Sequence, residues 1–232
     1  MATNIAQVEN LRAPISAFDD QEFAAHFYNE IKDMVKTTRE IKRGFEQVSQ
    51  DLKPFDDRRY KDGSVGLLRP IWDGYYEEYK TLLRTSKKDA VDLKLISDHY
   101  LEVVVPALPD KAVSAAEFQD IAKDFKEKTI AHERTSKYNA DTFLALSRKL
   151  ANFEHRDDKI DTIAAKTGAF GEFWTGVDID EGTIIKKLDC VLAAPTTHGT
   201  YALRTHLGEK GAASLYAALR QALLHYTAEA NV

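Results

Sequence analysis

Phe23, Phe27, Ile31, Met34, Thr38, Ile41, Phe45, Val48 and Leu52 follow one another at gaps of three or four residues, and Thr38 alone among them is polar. Such spacing places all nine on one stripe of a single helix. From Phe27 onward the gaps settle into the seven-residue beat of helices packed lengthwise, which is narrower than the drifting stripe of a globin-like fold. The chain is therefore expected to be all-α: an elongated bundle of four to five long antiparallel helices.

Composition narrows the partners. A chain of 232 residues, 44% hydrophobic and 30% charged, has ample core and many solvent-facing helical positions. The net charge of -5, with Lys and Arg interspersed among Asp and Glu, excludes a basic phosphate-binding surface, so nucleic acid is not an expected partner. The single cysteine, Cys190, allows neither an internal disulfide nor a multi-cysteine zinc site, and its apolar neighbours predict an inert buried thiol. Glu9, Arg12, Asp19 and Asp20 interrupt the start, so no signal or transit peptide is expected. No run of eighteen apolar residues predicts a membrane span. The expectation is a soluble protein, cytoplasmic or released by a non-classical route.

Four long helical blocks emerge along the chain. Asp19 or Asp20 can cap the first, which should run to about Leu52, before Pro54 and the Asp62-Gly63-Ser64 turn. The second opens near Pro70 with the stripe Ile71, Tyr75, Tyr79, Leu82, Ser86, Ala90, Leu93, Ser97, Tyr100 and Val104, and stops at Pro106 and Pro109. Ser114 and Glu117 have capping-box spacing and start the third at once, so the second and third blocks should be antiparallel neighbours. The third stripe reads Phe118, Ala122, Phe125, Thr129, His132, Ser136, Asn139, Phe143, Leu146, Leu150, Phe153 and Ile160, continuing toward Gly168 if unbroken. A last helix should span about Glu209 to Ala228, burying Leu215, Leu219, Ala222, Leu223 and Tyr226. One domain, 1–232, is expected.

Folding the second block onto the third about Asp110 and Lys111 sets His132 opposite Asp89, Ser136 opposite Thr85 and Phe125 opposite Ile96. The polar interruptions of the two stripes then share one level: Thr85, Ser86, Asp89, His132, Ser136 and Asn139. Such a layer either specifies register or forms a ligand or pH-sensing site.

Texture changes after Ala165. Three aromatics, Phe170, Phe173 and Trp174, lie among Gly168, Gly171 and Gly176, followed by the apolar Ile184, Ile185, Leu188, Val191 and Leu192. Residues 166–200 are expected to form a compact apolar insert capping the bundle end away from the Pro106 turn. It would either plug that end or meet a bilayer interface.

Catalytic signatures are missing. No histidine follows a glutamate by three residues, as carboxylate di-iron bundles require, and neither His132-Glu133 nor Glu154-His155 completes a His-Glu-x-x-His zinc motif. The glycines match no phosphate loop, and no Gly-x-Ser-x-Gly elbow occurs. His198 and His206 flank Tyr201 and Arg204, a set read as surface residues in preference to an anion site. No enzyme, metal or cofactor is expected.

The long rod, the tight hairpin turn and the glycine-rich apolar segment together resemble the cytolysin A (haemolysin E) type of α-helical pore-forming toxin. The stretch from Tyr79 to Ala90, leading into Val103-Val-Val-Pro-Ala-Leu108, is similar in texture to the long helix of such proteins. The likeness is architectural, covers most of the chain and carries no diagnostic motif. It implies a tongue from Gly168 to Leu192 that leaves the bundle for a lipid membrane, with Phe170, Phe173, Trp174, Ile179, Ile184, Ile185 and Leu188 facing lipid. It also implies assembly into a ring, from one chain or with a second protein component. Asp178, Asp180, Glu181, Lys186 and Lys187 interrupt that tongue, and the last helix is shorter than the third, both departures from the pattern. The functional expectation is a membrane-active protein; a non-enzymatic helical interaction module and a small-ligand binder at the polar layer are the other readings.

Overall fold

The structure is a computed structural model that describes residues 21–61, 67–110, 112–155, 157–193, 204, 207 and 212–229. The expected cap at Asp19 or Asp20, the Asp62-Gly63-Ser64 turn, and His198, Tyr201 and His206 lie outside these residues, as do the side chains of Phe23 and Phe27. Helices α1 (Gln21–Lys61), α2 (Leu68–His99), α4 (Ala115–Ala151), α5 (Asp158–Leu192) and α6 (Ala212–Glu229) form an elongated all-α bundle. A π-helical turn at Tyr100–Val104 and the single turn α3 (Val105–Ala107) close the α2 end.

The stripe on α1 is the core seam: Ile31, Val35, Thr38, Ile41, Phe45, Val48 and Leu52 are buried. Thr38 is tolerated there because its hydroxyl bonds back to the Val35 carbonyl at 2.7 Å. The helix does not stop at Pro54, as expected, but runs through it to Lys61. Proline removes the bond to the Gln50 carbonyl, and because both residues are exposed, solvent replaces it. The extra turns carry Asp56 to the start of α2, where its two carboxylate oxygens accept from the Leu68 and Arg69 amides at 2.9 and 2.8 Å. One helix thus caps the next.

On α2 the expected seam residue Ile71 is 48% exposed and Trp72 is buried in its place. The Trp72 indole donates to the Phe45 carbonyl at 2.9 Å and its ring lies 4.9 Å from Phe45, a satisfied polar tip that makes the larger ring the better core residue. The capping box at Ser114 and Glu117 forms with both reciprocal bonds, and α2 and α4 pair antiparallel through Lys149 with Glu78 at one end and Tyr100 with Phe125 at the other.

The third block is not continuous to Gly168. Helix α4 ends at Ala151, with Asn152 as its last capping residue, and α5 starts at Asp158 and returns beside α4. Asp157 caps the new helix by accepting from the Lys159 amide at 2.9 Å. Residues 166–192, expected as an insert beyond the bundle end, are therefore part of a regular bundle helix. Their glycines permit close approach: a Cβ on Gly171 would sit 2.6 Å from Leu144 Cγ, and one on Gly168 would sit 3.0 Å from Ser147 Oγ. Helix α6 runs antiparallel to α2, with Tyr216 stacked on Tyr100 and Tyr226 bonded to Ser86 at 2.7 Å.

Candidate functional site

Antiparallel pairing of α2 with α4 brings Asp89 and His132 to one height, and the return of α5 adds Glu181 from the other side of α4. The imidazole Nδ1 of His132 lies 2.6 Å from Glu181 Oε1, and Nε2 lies 2.9 Å from the Asp89 main-chain oxygen. Ser136 donates to Glu181 Oε2 at 2.8 Å, and the Asn139 amide donates to the Asp89 carboxylate. His132, Glu181 and Asp89 are each 4% exposed, and Ser136 and Asn139 are fully buried. Four of the six expected layer residues, Asp89, His132, Ser136 and Asn139, meet at the level the hairpin register predicts. Ser86 points instead to Tyr226, and Thr85 is half-buried with its hydroxyl on the Thr81 carbonyl.

Both ring nitrogens of His132 face acceptors. A neutral imidazole has one N–H and would leave the other nitrogen's lone pair against an oxygen; the imidazolium satisfies both. Burial works against that charge, but the Glu181 hydrogen bond and charge, reinforced by Asp89, outweigh it and hold the His132 pKa above its usual value. Burial raises the Asp89 carboxyl, an effect partly offset by its Asn139 bond. Asp180, next to Glu181 on α5, is pushed up to about 7 by burial and then by the adjacent Glu181 charge.

The Ser136, His132 and Glu181 set does not have nucleophilic geometry. Serine and glutamate share Nδ1, the hydroxyl donates to the carboxylate, and Nε2 is occupied by the Asp89 carbonyl. Among the described residues no group of three or more His, Cys, Asp or Glu could hold a metal ion. The layer is incompletely satisfied, because Asn139 Oδ1 and the nearby Trp174 indole nitrogen are buried without a hydrogen-bond partner among the described residues.

The residues expected to face lipid divide by depth. Phe170, Trp174 and Leu188 are core residues, and Phe173, Ile184 and Ile185 are half-buried, whereas Ile179 is 54% exposed. Phe170 stacks on Phe143 at 5.3 Å, so the aromatics fill the bundle and do not project from it. Cys190, expected to be buried, is exposed: the helix turns Leu188 inward and Cys190 outward. Among the described residues no helix is long and apolar enough to cross a membrane.

A second feature lies at the α2 to α4 turn, which composition alone passed over as a tight connection. From Val103 to Ala116 only Asp110 and Lys111 are charged. Val103, Pro106, Pro109, Ala112, Ala115 and Ala116 are exposed, and Val105, Leu108 and Val113 are half-buried. Arg204 lies over the Phe118 ring at 4.7 Å and donates to the carbonyls of Ala107, Leu108, Asp110 and Val113. Helix-end carbonyls that would otherwise need water are thereby gathered by one guanidinium. Comparison of the chain with protein-family models, with curated proteins and with solved structures gives no match.

Proposed function

We propose that this chain is a membrane-active helical protein, a pore-former or one component of a pore, and that it first meets lipid through the turn between α2 and α4. The observation that carries this reading is the Val103 to Ala116 tip. It is apolar, nearly free of charge and exposed at one end of the bundle, with four of its carbonyls already bonded to Arg204. Moving a peptide group out of water is costly when its hydrogen bonds are lost, so a tip with its carbonyls pre-paired enters an interface at less cost. The architectural resemblance to cytolysin A-type toxins supports the same reading, with the first lipid contact moved from residues 166–200 to this tip. The test is binding and dye release with the intact chain on vesicles of phosphatidylcholine, with and without phosphatidylserine. Release is expected, and Val103→Asp, at a position already 39% exposed, should abolish it without loss of the fold. Absence of both binding and release on both vesicles refutes the proposal.

A second reading, a helical interaction module, is favoured by one observation. Val91 and Leu95 on α2 and Leu224 on α6 are 43%, 56% and 41% exposed. Leu224 is one turn from Arg220, which pairs with Asp98 and Glu102, one and two turns beyond Leu95. Light scattering that finds a stable dimer dissociated by Leu95→Asp, together with inert vesicles, would select this reading.

A further inference from the structure

The buried polar layer combines a cation that needs its proton with carboxyls that resist losing theirs, all at the junction of three helices. Helix α2 contributes Asp89, flanked by Lys88 and Asp92; α4 contributes His132 and also Glu133, whose Oε1 would lie 3.1 Å from a Cβ placed on Gly182; α5 contributes Asp180 and Glu181. Helix α6 presents Tyr216, whose hydroxyl is kept protonated chiefly by burial and then by Tyr100, Glu181 and Asp180. Helix α1 meets α5 farther along, where Glu40 and Asp51 pair with Lys166 and Lys159.

Protonated, the layer is nearly balanced: the His132 imidazolium faces Glu181, and Asp180 is a neutral acid. Deprotonated, Asp180 and Glu181 stand side by side on α5 as carboxylates, with a neutral imidazole against Glu181. Like charges at such spacing in a low dielectric repel strongly. A neutral His132 would also leave one ring nitrogen against an oxygen.

We propose that this layer is a proton-operated latch, which clasps the C-terminal half of α5 to α2 and α4 while His132 and Asp180 carry their protons and releases that half when the protons leave. The inference goes beyond the membrane reading and does not rest on it.

Both groups act in the same direction. A group whose folded-state pKa lies above its unfolded value stabilises the fold fully below the unfolded pKa and loses that contribution as pH rises through the folded one. For Asp180 the loss spans 3.8 to about 7; for His132 it lies above 6.5. The latch therefore holds in mild acid and opens toward alkaline pH. Helix α5 is divided accordingly. Its first half buries Ile160, Ile163, Ala164, Phe170 and Trp174, and the layer residues Asp180 and Glu181 lie in the half beyond Val177, which otherwise is held by the buried Leu188 and by the pairing of Asp189 with Lys126.

The test is hydrogen–deuterium exchange on the full chain at pH 6 and pH 8.5, corrected for intrinsic rates, comparing amides of residues 178–192 with those of 160–174. Opening of 178–192 should rise by about tenfold from Asp180 alone between those pH values, with a further rise from His132, while 160–174 changes much less. In Asp180→Asn the rise should shrink by about one such factor. Equal opening of 178–192 at both pH values, or an undiminished rise in Asp180→Asn, overturns the latch. If Asp180→Asn fails to fold, the wild-type imidazole titration followed by NMR decides. His132 should titrate above 6.5, with signals of α5 beyond Val177 shifting in the same step; titration at or below 6.5 overturns the proposal.

Discussion

Gly171→Ala separates two views of the glycines in α5. Were they hinges of a loose segment, alanine would stabilise the helix by removing backbone freedom, a gain of about 0.8–1.0 kcal/mol per site. The structure gives Gly171 a different role. A Cβ there would meet Leu144 Cγ at 2.6 Å, Cδ2 at 2.9 Å and the Leu144 backbone nitrogen at 3.0 Å. The side chain can rotate, but the backbone contact is relieved only by moving α5 away from α4, and overpacking of that kind costs about 1–3 kcal/mol. Taking about 2 kcal/mol for the clash and about 1 for the gained propensity leaves a net loss of about 1 kcal/mol. Gly176 is the control on the same helix, since a Cβ there has nothing within 4 Å, and Gly176→Ala should gain nearly the full propensity term. The two variants should differ by about 2 kcal/mol, or about 4–8 °C in Tm for a chain of this size. Thermal melts followed by circular dichroism decide, and a Gly171→Ala chain that melts at or above Gly176→Ala refutes the close-approach argument.

Two further outcomes follow from single contacts. Asp56→Ala removes both carboxylate bonds at the start of α2 and should cost about 1–2 kcal/mol, read as a lower denaturant midpoint with an unchanged slope. Cys190 should react with a thiol reagent in the native chain without denaturant; reaction only after denaturant is added would return it to the interior.

The hairpin was legible because the Pro106 and Pro109 stop and the Ser114 and Glu117 start leave little freedom in register, so counting outward from the turn places His132 against Asp89. Glu181 was not legible by the same count, since its partner depends on a second turn whose residues, Asn152 to Asp157, lie inside a polar and apolar pattern that reads as continuous helix. Its signal was present in Asn152 as a helix C-terminus and Asp157 as an N-cap. Residues 166–192 misled because Gly, Thr and β-branched residues are poor helix formers by propensity, and packing against α4 overrides propensity. Ile71 and Trp72 are adjacent, and the periodicity could assign the stripe to either. Only the Phe45 carbonyl, reachable by an indole N–H, decides for Trp72.

The division of α5 bears on which apolar side chains could ever reach lipid. Beyond Val177 the helix carries Ile179, Ile184, Ile185 and Leu188 beside Lys186 and Lys187, an amphipathic set that release of the polar layer would expose. Phe170, Phe173 and Trp174 lie on the other side of that boundary, in the apolar cluster with Phe143 and Trp72. Hydrophobic burial of large side chains, about 1.5–3 kcal/mol each, keeps the first half closed whatever the pH. Both tryptophans of the chain, Trp72 and Trp174, are buried in that closed part. If membrane contact is made by the α2 to α4 tip and the released half of α5, then brominated lipids should leave tryptophan emission unquenched on vesicles that the chain nonetheless binds. Quenching in step with binding would mean that the whole of α5 leaves the bundle, and would refute the boundary at Val177.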